Sequence, residues 1–94
     1  MKILKAISNP VRLKILRFLC KKPSCVTLTN EVIKISQPNL SQHLKILKDS
    51  GIISSRKDKN RRCYYIVDPD PLKQLIGLLD QIEGSIEEIE EETE

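Results

Sequence analysis

Ser36-Gln37-Pro38-Asn39-Leu40-Ser41-Gln42-His43-Leu44-Lys45-Ile46-Leu47-Lys48-Asp49-Ser50-Gly51 holds a start, a periodic body and a stop. Ser36 suits an N-cap, and Pro38 is tolerated in a first turn because its missing N–H has no intrahelical partner there. Gly51 suits the left-handed residue after a helix. The stretch therefore predicts one helix of about four turns. Leu40, Leu44 and Leu47 recur at i, i+4, i+7 on one face, widened by Ile46, while Gln37, Asn39, Ser41, Gln42, His43, Lys45 and Lys48 keep the rest polar. Amides, hydroxyls and lysines with almost no acid are the side chains of a helix that enters a DNA major groove. Gln and Asn bond adenine in bidentate fashion, and Lys reaches phosphate. Taken alone, the stretch equally describes a surface helix that happens to be polar, and the flanks have to decide.

On the N-terminal side, Thr27 to Ile35 places Leu28, Val32 and Ile35 at i, i+4, i+7 behind a Thr27 cap. Its β-branched residues make it a weak helix by propensity, fixed by packing. A short helix, a tight turn and a longer polar-faced helix form a helix-turn-helix, which favours the DNA reading. Ser24-Cys25-Val26 is expected to be a linker. Before it, Asn9 caps and Pro10 opens a largely buried helix that carries Leu13, Ile15, Leu16, Phe18 and Leu19 and ends at Lys22-Pro23. Ile3, Leu4 and Ile7 make a first helix too short to persist alone.

On the C-terminal side the period changes. Ile52–Lys57 and Cys63–Val67 are β-prone runs joined by the polar loop 58–62, an antiparallel hairpin or wing whose tip carries Lys57, Lys59, Arg61 and Arg62. Basic tips of this kind suit phosphate or the minor groove. Tyr64 and Tyr65 alternate faces, one toward the core. After Asp68-Pro69-Asp70-Pro71 a last helix carries Leu72, Leu75, Ile76, Leu79, Ile82, Ile86 and Ile89 at spacings of three and four. That seam is longer than so small a body needs for its own core, and the excess is expected to pair with a second copy. The expected fold is mainly α with a small β-hairpin (α+β), a winged helix-turn-helix in the order four helices, two strands, one helix. It forms one domain over 1–94, with 1–7 and 72–91 as dimerisation helices and 92–94 a frayed acidic end.

Composition agrees. The 94 residues carry a net charge of +3, but the last fifteen hold eight carboxylates and no cation. The first 79 residues therefore carry all 16 cations against five carboxylates, a charge of +11. A basic body implies a polyanionic partner, nucleic acid above all, and the acidic tail is expected to be a solvated helix end. No apolar run approaches a membrane span, and the N-terminus opens on an amphipathic pattern, so a cytoplasmic protein without a membrane partner is expected. Three cysteines, an odd number, suggest reduced thiols. An enzyme is not expected: the one histidine lies on the candidate DNA helix, and neither a phosphate loop nor a nucleophile with a partnered base is visible.

Leu4 to Leu16 with Ser8-Asn9-Pro10-Val11-Arg12-Leu13, Ser36 to Leu47, Gly51-Ile52-Ile53 and Tyr64-Tyr65, in that order, resemble the ArsR/SmtB family of winged-helix repressors over residues 3 to about 79. The resemblance implies a homodimer joined through its first and last helices, at Ile3, Leu4, Ile7, Leu72, Leu75, Ile76, Leu79, Ile82 and Ile86. It would bind a pseudo-palindromic double-stranded DNA operator with recognition helices about 34 Å apart. The residues then divide into groove candidates, Gln37, Asn39, Ser41, Gln42 and His43, and phosphate or wing contacts, Lys45, Lys48, Arg56, Lys59, Arg61 and Arg62. His43 has a second reading as a neutral imidazole at the edge of the core.

Family repressors release DNA in response to a metal, a metalloid or a thiol oxidant. Here Cys25-Val26-Thr27 keeps only the first thiol of the Cys-x-Cys pattern, and Asp80, Glu83 and Glu87 lack an imidazole, so nothing supports a metal site on the last helix. Cys20 and Cys25 remain as inert small hydrophobes, as a thiol or redox sensor, or as two thiolate ligands of a soft ion completed by a third ligand such as Cys63 or a residue of the other subunit, with neighbouring lysines favouring thiolate; Cys63 otherwise reads as structural. No cofactor is required, and a soft metal or metalloid effector is weakly supported. The competing function, from another class, is a winged-helix protein-interaction module without sequence-specific DNA binding.

Overall fold

The computed structural model describes residues 1–25 and 33–92, with side chains at 1–23 and 33–89. Among them are four helices and three strands: α1 (Lys2–Ile7), α2 (Pro10–Lys21), β1 (Ser24–Cys25), α3 (Gln37–Ser50), β2 (Ile53–Asp58), β3 (Arg61–Ile66) and α4 (Pro69–Glu92). The helix expected over Thr27–Ile35 lies for the most part outside the described residues. Of its end, Ile33 is helical and Lys34 turns the chain with a left-handed φ of 60° just before α3.

The helix boundaries follow from their caps. Asn9 Oδ1 accepts from the backbone N–H groups of Val11 and Arg12 at 2.9 and 3.1 Å, with Pro10 in the first helical position. Ser36 Oγ accepts from the Asn39 N–H, and Gly51 ends α3 at φ 91°, its N–H returning to the Lys48 carbonyl. Each arrangement satisfies backbone groups that the helix itself leaves unpaired.

Leu40, Leu44 and Leu47 are fully buried in one core with Ile15 and Leu16 of α2, Ile53 of β2, Ile66 of β3, Ala6 and Ile7 of α1, and Leu72 and Ile76 of α4. At about 1.5–3 kcal/mol per buried aliphatic side chain, the leucine stripe fixes which face of α3 points inward. The polar face has to point out.

Two expectations change. The linker at Ser24-Cys25 is a strand, paired antiparallel to β3 with Ser24 opposite Tyr64 and Cys25 opposite Cys63, so the sheet is three-stranded in the order β1-β3-β2. Two residues are too few to show a period of 2; the unpaired edge of β3 recruits them through main-chain groups. Strands β2 and β3 also run further, pairing as far as Asp58 opposite Arg61, and leave a two-residue turn of Lys59 and Asn60. Arg61 and Arg62 therefore sit in the ladder, not at a loose tip, because ladder bonds do not depend on side-chain polarity. Lys59 takes the left-handed φ of 58° that this turn requires.

Helix α4 spans 24 residues, about 36 Å. Only its first turns pack on the body; beyond Leu79 it continues outward, and the molecule measures 55 Å in its longest dimension. Among the described residues no helix is long and apolar enough to cross a membrane.

Candidate nucleic-acid interface

With its leucines buried, α3 exposes Gln37, Asn39, Ser41, Gln42, Lys45 and Lys48. The wing lies along one flank of this helix. Lys48 Nζ donates to Ser55 Oγ at 2.9 Å, and an Arg62 guanidinium N–H donates to the same oxygen at 3.5 Å. One hydroxyl thus draws a helix cation and a wing cation together, and Ser41, Lys45 and Tyr64 line the shallow cleft between them.

Strand alternation sorts the other wing cations. Ile53 with Ile66, Ser55 with Tyr64 and Lys57 with Arg62 are cross-strand partners on the face that continues from the core. Arg56 opposite Cys63 and Arg61 opposite Asp58 fall on the other face. The exposed wing cations are therefore split between two faces, and Lys57 joins Arg62 on the side of α3. Tyr64 packs against the core, and Tyr65, on the opposite face, is half-buried.

His43 stands apart from the exposed amides. It is half-buried and turned toward α2, with Nδ1 3.2 Å from an Arg12 guanidinium nitrogen. Guanidinium only donates, so Nδ1 accepts and the neutral ring carries its proton on Nε2. Burial, and then the Arg12 charge, hold the imidazole below the ordinary histidine value. Arg12 carried no special signal in the sequence, since nothing there shows what a helix cation will face.

The residues expected at a dimer interface divide into two groups. Ile7, Leu72 and Ile76 are buried in the chain's own core, because α1 packs on α2 and α3 and the start of α4 packs on α2. Ile3, Leu4, Leu75, Ile82 and Ile86 are exposed, Leu79 is half-buried, and Leu78 and Ile89 extend the exposed set. At the outer edge of the packed region, Arg17 of α2 grips Asp80 of α4 through two hydrogen bonds of 2.9 and 2.6 Å. That bridge lowers the Asp80 carboxyl and raises the Arg17 guanidinium.

The cysteines do not fall as a Cys20–Cys25 pair. Cys20 is a free, half-buried thiol facing Arg17, Lys21, Lys73 and Ile76. Burial pushes it up by more than Lys73 and Arg17 pull it down, so the expectation of a cation-stabilised thiolate is not met there. Cys25 instead opposes Cys63 in the β1–β3 register, and Cys63 is disulfide-bonded, so the reduced state expected of all three does not hold at Cys63. Among the described residues no three His, Cys, Asp or Glu side chains gather as a metal ion would need.

The model of the bacterial regulatory protein arsR family matches residues 9–55, from the α2 cap through α3 into the wing. The chain belongs to the ArsR family. An HTH-type transcriptional regulator of Methanocaldococcus jannaschii is 43% identical over 81 residues, 85% of this chain and 90% of that protein. The arsenical resistance operon repressor of Staphylococcus xylosus is 39% identical over 64 residues, 68% of this chain and 62% of its own length. The homodimeric winged helix-turn-helix DNA-binding domain of a possible ArsR-family regulator from Mycobacterium bovis superposes with a TM-score of 0.80. It is 25% identical, and the match covers 93% of this chain and 80% of that one. This ArsR-family protein is a DNA-binding transcriptional regulator with a winged helix-turn-helix fold, and its family is one of regulators, not enzymes.

Proposed function

We propose that this ArsR-family regulator is a homodimeric repressor of a pseudo-palindromic operator. Gln37, Asn39, Ser41 and Gln42 read base edges in the major groove. Lys45, Lys48, Arg56, Lys59, Arg61 and Arg62 hold phosphates along the helix and wing. His43 serves at the edge of the core rather than in the groove.

The observation that carries this reading is the burial of Leu40, Leu44 and Leu47, which turns the amide face of α3 outward beside a wing joined to it at Ser55. The dimer is supported by the exposed apolar side chains of α1 and of α4, the latter running past the body it belongs to. DNA binding needs no cofactor in this reading. The effector is a redox agent that changes the thiol–disulfide state of the wing, supported by Cys63 being disulfide-bonded and lying opposite Cys25 in the sheet. A soft metal or metalloid is the other arm of the same assay.

Selection from a random duplex library with the purified protein, repeated with an oxidant, with Zn2+ and with trivalent arsenic, tests each part. A selected palindrome, bound by a dimer with an affinity that falls steeply with salt, is expected. A monomer at micromolar concentration that ignores duplex DNA in dilute buffer overturns the reading in favour of a protein-interaction module. Indifference to all three additives removes the effector and leaves constitutive repression.

A further inference from the structure

We propose that Arg12 is a positioning residue for the DNA-reading helix: one guanidinium ties the end of α1 to His43 and so sets how α3 is presented. The inference rests on the reading of α3 as the DNA reader. Arg12 Nε donates to the Ala6 carbonyl, one terminal nitrogen donates to the Lys5 carbonyl at 3.2 Å, and the other to His43 Nδ1 at 3.2 Å. Three N–H directions of one planar group thus span two helices other than its own.

The carbonyls are acceptors that the last turn of a helix leaves unpaired, so Arg12 also closes α1. Among the described residues Arg12 has no carboxylate partner; its charge is taken up by neutral acceptors. Because α1 exposes Ile3 and Leu4, the tie joins the apolar dimer face to the reader through a single side chain. Lysine cannot replace it, since one ammonium on a flexible stem cannot hold the fork that reaches α1 and α3 together.

A direct phosphate contact is the rival role for an arginine beside a recognition helix, and the two are separable. On a duplex selected with the wild-type protein, Arg12→Lys is expected to lose about tenfold in affinity, the order of losing hydrogen bonds to a charged group. In Arg12→Gln, which removes the charge as well, the slope of log affinity against log salt is expected to stay unchanged, whereas loss of a phosphate contact lowers it by about one. The 15N spectrum of the His43 ring is expected to shift from an Nε2–H tautomer to a mixture. His43→Asn, which keeps an acceptor near the Nδ1 position, is expected to lose less affinity than His43→Leu. The double variant Arg12→Lys, His43→Leu is expected to lose less than the product of its single losses.

Wild-type affinity in Arg12→Lys, a slope reduced by about one in Arg12→Gln, or full additivity each overturns the positioning role. If Arg12→Lys does not fold, the Asn and Leu variants of His43 decide alone, and equal losses overturn it. A wild-type protein that selects no duplex takes down the DNA reading and this proposal together. Selection by the wild type with no effect of the variants takes down this proposal only.

Discussion

In the proposed reading, single side chains on α3 and the wing divide the work of recognition, and the division can be measured. Gln42 is exposed on the amide face, and Arg62 reaches the Ser55 hydroxyl from the wing. Gln42→Ala is expected to cost about 1–3 kcal/mol against the selected operator and little on random duplex. Arg62→Ala is expected to weaken both alike and reduce the salt slope by about one. Equal losses on random duplex for the two variants refute the division. His43 supplies a pH dependence of known sign. Its folded-state value lies below the ordinary 6.5, so the folded protein takes up its proton later than the unfolded chain. Its contribution to stability is full above about 6.5 and is lost as pH falls through the depressed folded value. Melts of the wild type and of His43→Asn between pH 7.5 and pH 5 should therefore converge as pH falls; parallel curves count against it. The polarity of these residues was plain in the sequence. Which of them faced out was decided by the leucines behind them, and His43 was turned inward by Arg12, thirty-one positions away.

Elements were legible where a cap or a long period announced them. Asn9 with Pro10 and Ser36 with Gly51 bound α2 and α3 because the local hydrogen bonds are made within a few residues. Asn9→Ala removes the acceptor of two such bonds. It is expected to cost about 1 kcal/mol, a fall in Tm of about 4–8 °C at fixed protein concentration. Strand β1 and the outer rungs of the wing were not legible, since their pairing is made by main-chain groups against a partner some forty positions distant or across a turn. The seating of α4 on α2, made by buried Leu72 and Ile76, is also tied at its edge by a pair the sequence separates by 63 positions, Arg17 and Asp80. The depressed Asp80 value means that this tie is present above the ordinary carboxylate range and is lost as pH falls through the folded value. Asp80→Asn is expected to lower Tm slightly at neutral pH and to leave it unchanged in acid, where the wild type has lost the charge too. An equal deficit at both pH values would assign the loss to packing.

At the scale of the whole molecule, the apolar surface left over on α4 is the surface the proposed dimer would cover. Leu78, Ile82, Ile86 and Ile89 are 49–60% exposed on a helix that outruns its core, while Leu72 and Ile76 complete that core. Ile82→Lys with Ile86→Lys is expected to give monomers by light scattering at micromolar concentration. Operator affinity should fall at least a hundredfold while weak binding to random duplex persists, since each monomer keeps its own α3 and wing but loses the linked second half-site. Dimers retained by this variant would move the interface elsewhere. The sequence alone determined the helix-turn-helix signature, the wing, the basic body and the apolar seam, because caps, periodicity and charge are properties of neighbours within a turn or two. Only the tertiary structure decided which seam residues are core and which are left exposed, which wing cations share a face with α3, and that Arg12 bonds His43. Those outcomes depend on which distant surfaces meet and on the directions their side chains take once they do.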